Sequence, residues 1–157
     1  MIIISVSTSA KNPSAAVLRS DGSIKMKLDE SGRPHSVTLM PLLDELLTEE
    51  GLTVNDADAF AVDIGPGSFT GVRIGVSTVN ALAFAAKKKI IAVNSLAALR
   101  HAAPKGSTVI SLIDARNENA YGAVYVGDLC IIDPCACTKN DIISACETIG
   151  ILDEDGV

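Results

Sequence analysis

The sequence contains no tryptophan, and its rings are limited to three Phe and two Tyr. Since 48% of the residues are hydrophobic, the core must be aliphatic, filled by Ile, Val, Leu and Ala. Cations are also scarce: 13 Lys and Arg stand against 19 Asp and Glu, a net charge of −6. Nucleic-acid affinity rests largely on cations that neutralise phosphates, so independent RNA binding is not expected. The one basic run, Lys87-Lys88-Lys89, reads first as a solvated helix end, where cations complement the helix dipole. RNA contact by these lysines is the second reading.

Long apolar runs are missing as well. The longest, Val76 to Ala86, is interrupted by Ser77, Thr78 and Asn80 and stops at the lysines, so no transmembrane segment is expected. The start, Ile2-Ile3-Ile4, lacks the basic stretch of a signal peptide, and a cytoplasmic location is expected. Cysteine first appears at Cys130, followed by Cys135, Cys137 and Cys146. This spacing matches no paired zinc pattern, and neither His35 nor His101 adjoins it. Reduced thiols and no metal site are the expectation.

What is present reads as an α/β chain. With 157 residues it fits one compact domain or two small lobes. Strands are expected at residues 2–6, 14–19 and 24–28, the last two joined by a hairpin at Asp21-Gly22. A helix follows over Ser36 to Glu50, with Leu39, Met40, Leu43, Leu46 and Leu47 on one face. Pro41 is tolerable there in a first turn, where N–H groups lack helical partners, and Gly51 supplies the stop. Strand 59–64 leads through Gly65-Pro66-Gly67 into a helix from Phe69 to about Lys88, then strand 90–93. Asn94-Ser95 caps a helix that ends near Ala103-Pro104. Three strands, then alternating helix and strand, predict a mixed sheet of the ribonuclease H-like type.

After Pro104 the opening recurs. Ile110-Ser111-Leu112 matches Ile4-Ser5-Val6, and Gly122-Ala123-Val124 matches Ala15-Ala16-Val17. Strands are therefore expected at 109–114, 119–126 and 129–132, with a helix at about 139–148. The expected organisation is a first lobe over 1–104 and a shortened second lobe over 105–157.

The loudest local signal is Gly65-Pro66-Gly67-Ser68-Phe69-Thr70-Gly71-Val72-Arg73. It is neither a Walker A loop nor a dinucleotide fingerprint. A structural turn and a phosphate cradle at a helix N-terminus both remain open. In the helix that follows, Val72, Val76, Val79, Leu82, Ala83 and Ala86 form a stripe expected to face the sheet. The opposite side carries Thr70, Ile74, Ser77, Ala81, Phe84 and Ala85, with Arg73 at its margin. A helix apolar on both sides is buried on both. Another element of the same chain could cover that face, but a partner interface is the favoured reading, because small residues allow close approach and apolar patches rarely stay open.

Catalytic groups are sparse. Ser7, Thr8 and Ser9 follow the first strand, and Asp114, Arg116 and Glu118 follow its counterpart in the repeat. Phosphoryl transfer needs carboxylates to hold Mg²⁺, and the first turn offers only hydroxyls. His35 and His101 have no visible nucleophile partner. Ser7 and Asp114 are retained as a weak, degenerate cofactor-binding pair, with no catalytic residue expected and no cofactor other than a nucleotide at a partner interface.

The segment Gly65 to Ala85, GPGSFTGVRIGVSTVNALAFA, resembles the glycine loop and interface helix of the TsaB (YeaZ) family. Supporting matches are His35-Ser36 before Leu39-Met40-Pro41-Leu42, Asn94-Ser95-Leu96, and Ile113-Asp114-Ala115-Arg116 leading to Tyr121. The resemblance implies a duplicated ribonuclease H-like, actin-like ATPase fold with a degenerate nucleotide site. It further implies a non-catalytic subunit that pairs through the helix face with a TsaD-like enzyme, helped by a TsaE-like ATPase, and that homodimerises alone. The TsaD-like partner would transfer threonylcarbamoyl to adenosine 37 of tRNA, so that tRNA is met only through the complex. Two departures weaken ATP hydrolysis: Ser7-Thr8 replaces the family's Asp-Thr, and Asn119 stands where a Glu is usual. The alternatives are a small nucleotide-binding or phosphotransfer enzyme using the glycine loop and Asp114, or a truncated homodimeric remnant.

Overall fold

A computed structural model describes residues 1–150 of the chain. Packing divides it into two units, Met1–Val93 and the chain from Asn94 onward.

The first unit holds strands β1 (Ile2–Ser7), β2 (Ser14–Arg19) and β3 (Ile24–Leu28), helix α1 (His35–Glu49), β4 (Ala59–Asp63), helix α2 (Phe69–Ala86) and β5 (Lys89–Val93). The sheet order is β3-β2-β1-β4-β5. The three opening strands pair antiparallel, while β1, β4 and β5 run parallel. That split follows from connection length: a two-residue turn suffices for a hairpin, whereas parallel neighbours need a crossover helix. Alternation sets the register. Ile4 lies beside Val17 and Phe60, and Val6 beside Ala15 and Val62, all buried. A slip of one residue would turn that whole row to the other face.

α1 covers this face with Leu39, Leu42, Leu43, Leu46 and Leu47, all in the main core cluster. The helix begins at His35, so Pro41 lies in its second turn and not in the first. The missing N–H leaves the Val37 carbonyl without a helical donor, and Val37 is exposed, so water can serve it. Gly51, at φ +63°, follows the helix end in the left-handed region.

Among the described residues, α2 is the one helix long and apolar enough to cross a membrane, with a mean hydropathy of 1.3 over 18 residues. In the fold, Val79 and Ala83 join the core of the first unit beside Ile4 and Phe60. The buried line of α2 is Gly71, Gly75, Val79 and Ala83, while Val72, Val76, Leu82 and Ala86 flank it half-buried. The stripe read from periodicity is thus rotated toward the glycines, because small residues lie closest to the sheet.

The second unit starts with α3 (Ser95–Leu99), whose cap Asn94 accepts from the N–H groups of Leu96 at 2.9 Å and Ala97 at 3.2 Å. α3 is shorter than the sequence suggests, giving way to a 3-10 turn at Arg100–Ala102. Strands β6 (Thr108–Arg116), β7 (Asn119–Val126) and β8 (Leu129–Thr138) form an antiparallel meander, followed by α4 (Lys139–Thr148). Three strands and a helix thus repeat the opening order. Leu96 of α3 packs with Ala123 and Tyr125 on one face, and Ile142 and Cys146 of α4 pack with Val124 on the other. Leu96 therefore draws α3 into this packing unit, ahead of the strands that restart at β6. β8 runs well past Ile132, where the sequence signal stops. Asp133-Pro134 resembles a strand end, but β8 is an edge strand, where a missing donor is tolerated.

Candidate functional site: the glycine turn and the open face of α2

β1 and β4 are parallel neighbours, so their C-terminal ends arrive together. The Asp63 carboxylate at the end of β4 accepts from Ser7 Oγ at 2.8 Å, from Ser9 Oγ, and from the Gly65 N–H at 2.9 Å. The Ser68 N–H donates to the Ser9 carbonyl at 2.7 Å. Buried Thr8 donates its hydroxyl to the Gly71 carbonyl at 2.6 Å. The turn after β1 is thus tied to the start of α2 through both side chain and main chain.

Gly67, Gly71 and Gly75, spaced four apart, all meet this turn. A Cβ on Gly71 would lie 1.9 Å from the Thr8 carbonyl oxygen, and one on Gly75 would lie 2.4 Å from Thr8 Oγ1. At Gly67 the nearest atom would be the Ser9 carbonyl oxygen, at 2.5 Å. The glycines permit close approach of strand turn to helix, which favours the structural turn over the phosphate cradle. A carboxylate that gathers the Ser7 and Ser9 hydroxyls also opposes a phosphate at the same spot by charge. Asp63 escaped the sequence reading. Its signal was local: an Asp two residues before a glycine invites the side-chain-to-backbone turn seen here.

Each remaining predicted residue has a definite setting in its own unit. Ser7, proposed from sequence to bind a cofactor, is half-buried with its hydroxyl on Asp63. Asp114, its proposed counterpart, is exposed on β6 and accepts from the Arg116 N–H at 3.3 Å. It serves the tight turn into β7, where Arg116, Asn117 and Glu118 all have positive φ. His35 Nε2 lies 3.0 Å from the Lys11 carbonyl, and His101 sits beside Arg100. No cluster of three metal-ligating groups occurs among the described residues.

The outer side of α2 is open. Thr70, Arg73, Ser77, Ala81, Phe84 and Ala85 are exposed, and Phe84 reaches 88% exposure. Ile74 differs from the other residues assigned to this face: it is half-buried and packs against the core. Phe69 and Asn80, which the sequence reading left out, are exposed at helical spacing along the same side. The Arg73 guanidinium lies over the Phe69 ring, 5.2 Å from its centre, so the sole charge of this helix is drawn to one end of the face.

The profile of the family described as "TsaD: tRNA N6-adenosine threonylcarbamoyltransferase" matches residues 29–144. The chain is also 35% identical, over 131 residues, to the tRNA threonylcarbamoyladenosine biosynthesis protein TsaB of Escherichia coli strain K12. The chain belongs to the TsaB (YeaZ) family. The E. coli match covers 82% of this chain and 56% of that relative. TsaB of Haemophilus influenzae is 40% identical over 92 residues, which cover 57% of this chain and 39% of the relative. YeaZ from Pseudomonas aeruginosa superposes with a TM-score of 0.74 at 32% identity, covering 87% of this chain and 66% of that one. The chain therefore shares the mixed α/β fold of YeaZ. This TsaB (YeaZ) member spans about half the length of the curated relatives it matches.

Proposed function

We propose that this chain is a non-catalytic partner subunit in threonylcarbamoyladenosine formation on tRNA, docking a TsaD-type enzyme through the outer face of α2. The observation that carries the proposal is that face: small and apolar residues with Phe84 almost fully exposed, on a chain of the TsaB family. Apolar patches of this kind mark interaction surfaces, and Ser77, Ala81 and Ala85 would let a partner helix approach closely.

The non-catalytic assignment is supported by the glycine turn, where Asp63 engages the hydroxyls and the glycines admit the β1 turn. The net charge of −6 supports contact with tRNA through the complex and not directly. A TsaE-like ATPase would join that complex, and the same α2 face would serve a homodimer when the enzyme is absent.

The test is size-exclusion chromatography with light scattering, on the chain alone and mixed with the TsaD protein of the same source. A stable mixed complex that Ala81→Glu abolishes is expected. Complex formation unaffected by Ala81→Glu would remove the assignment of this face, and no complex at any concentration would remove the partner role.

A further inference from the structure

Three of the four cysteines lie on β8, and two of them converge. Cys135 and Cys137 are two residues apart on one strand, so their side chains leave the same side. Both gather around Gly122 of the neighbouring strand. The Cys135 thiol points to the Gly122 carbonyl at 3.7 Å. The Cys137 sulfur lies where a Cβ on Gly122 would come within 3.1 Å of it. With no side chain at Gly122, both thiols have room beside the same residue. Cys137 also opens onto a cavity of about 450 Å³, lined by Asn119, Tyr121, Thr138 and Asp141 among others. Cys135 is exposed, so the pair can be reached from solvent.

Two sulfurs without further protein ligands select by chemistry. Zinc sites take four ligands, three of them from protein even in catalytic sites, and no cluster of three donor groups exists among the described residues. A soft ion of low coordination number needs only the two thiolates, and Cu(I) is the common ion with that preference. We propose that Cys135 and Cys137 form a dithiol site for a thiophilic ion of the Cu(I) class. Binding replaces two S–H bonds by two S–Cu bonds and releases two protons, with no change of oxidation state. Burial, followed by the neighbouring Cys135, pushes the Cys137 thiol up, so metal binding must displace a proton held there, and proton release is measurable.

The experiment is an anaerobic titration of the full chain with Cu(I) against the competing chelator bathocuproine disulfonate. The wild type is expected to retain a single copper ion, as are Cys130→Ser and Cys146→Ser. Cys135→Ser and Cys137→Ser should each lose it to the chelator, with far-UV circular dichroism confirming that the variants fold. Cys135 is exposed, so Cys135→Ser carries the test even if Cys137→Ser unfolds. Phenylarsine oxide, which bridges paired thiols, should give an equimolar adduct by mass spectrometry in the wild type but not in Cys135→Ser. Copper retention unchanged in Cys135→Ser, or lost with Cys130 instead, would overturn the site. So would a wild type that forms no arsenical adduct. None of these readouts depends on the proposed partner role.

Discussion

Thr8 and Gly71 fit each other as a pair: the Thr8 hydroxyl donates to the Gly71 carbonyl at 2.6 Å, and a Cβ on Gly71 would sit 1.9 Å from the Thr8 carbonyl oxygen. Both atoms in that clash are backbone or Cβ, so no flexible side chain can give way. Gly71→Ala is expected to cost about 3 kcal/mol, the upper end for forced overpacking, read as a fall in the thermal midpoint. A cost under about 0.5 kcal/mol, the range of ordinary surface changes, would mean that α2 can move away from the β1 turn.

Asp63 is the second hold on that turn. Removing its carboxylate in Asp63→Ala leaves Ser7, Ser9 and the Gly65 N–H without their shared acceptor. Hydrogen bonds to a charged group contribute about 1.5–3 kcal/mol, so destabilisation of roughly 2 kcal/mol is expected. Hydrogen exchange should rise at Gly65 and Ser68 before it rises at Ile4 or Phe60. Uniform acceleration across the first unit would instead place Asp63 among residues of general stability.

On the open side of α2, Phe84→Ser should leave folding nearly unchanged. The ring is 88% exposed, so truncation removes few contacts, and surface changes usually stay within about 0.5 kcal/mol. Self-association measured by light scattering should weaken. A large fall in the melting midpoint would show that Phe84 is covered within the folded chain.

Ser111 gives a prediction of opposite sign. Its buried hydroxyl has no hydrogen-bond partner among the described residues, although it sits on a central part of β6. An unsatisfied buried polar group costs about 1–3 kcal/mol, so Ser111→Ala should raise stability by roughly 1 kcal/mol in a denaturant midpoint. A loss of stability would reveal a partner for the hydroxyl in solution.

Four aspartates, three exposed and Asp29 half-buried, set the acid limb of stability. The Ser23 side chain lowers Asp21, the Ser31 N–H lowers Asp29, the Thr53 side chain lowers Asp56, and the Thr138 N–H lowers Asp141. A carboxylate lowered in the folded state stabilises above its unfolded value, about 3.9, and that contribution is lost as pH falls through the folded value. Stability should therefore hold from pH 7 to about 5 and decline below about 4. The decline should be shallower in a variant combining Asp56→Asn and Asp141→Asn. An acid limb identical to wild type would assign it to other groups.

Much of the architecture was legible because local rules agree. Ile4 and Val6 alternate, Leu39 to Leu47 repeat at helical spacing, and Asp21-Gly22 and Asn94 carry turn and cap chemistry of short range. The family resemblance was legible for the same reason, since Gly65 to Ala85 is one continuous segment. Misreadings arose where a local signal was ambiguous. Asp133-Pro134 resembles a strand end until β8 proves to be an edge strand, and Pro41, expected in a first turn, lies in the second turn of a helix that begins at His35.

By itself the sequence determined the order of strands and helices, the repeat of three strands and a helix, the family, and a helix apolar on two sides. Periodicity and turn chemistry act within a few residues, so they survive without coordinates. Only the tertiary structure decided what the glycines do and where Asp63 and the paired thiols point. Thr8 and Gly71 are 63 residues apart, and Gly122 meets Cys135 only across a strand pairing. Such contacts are fixed by strand pairing and register, which bring distant residues within a hydrogen bond of each other and leave no trace in local spacing.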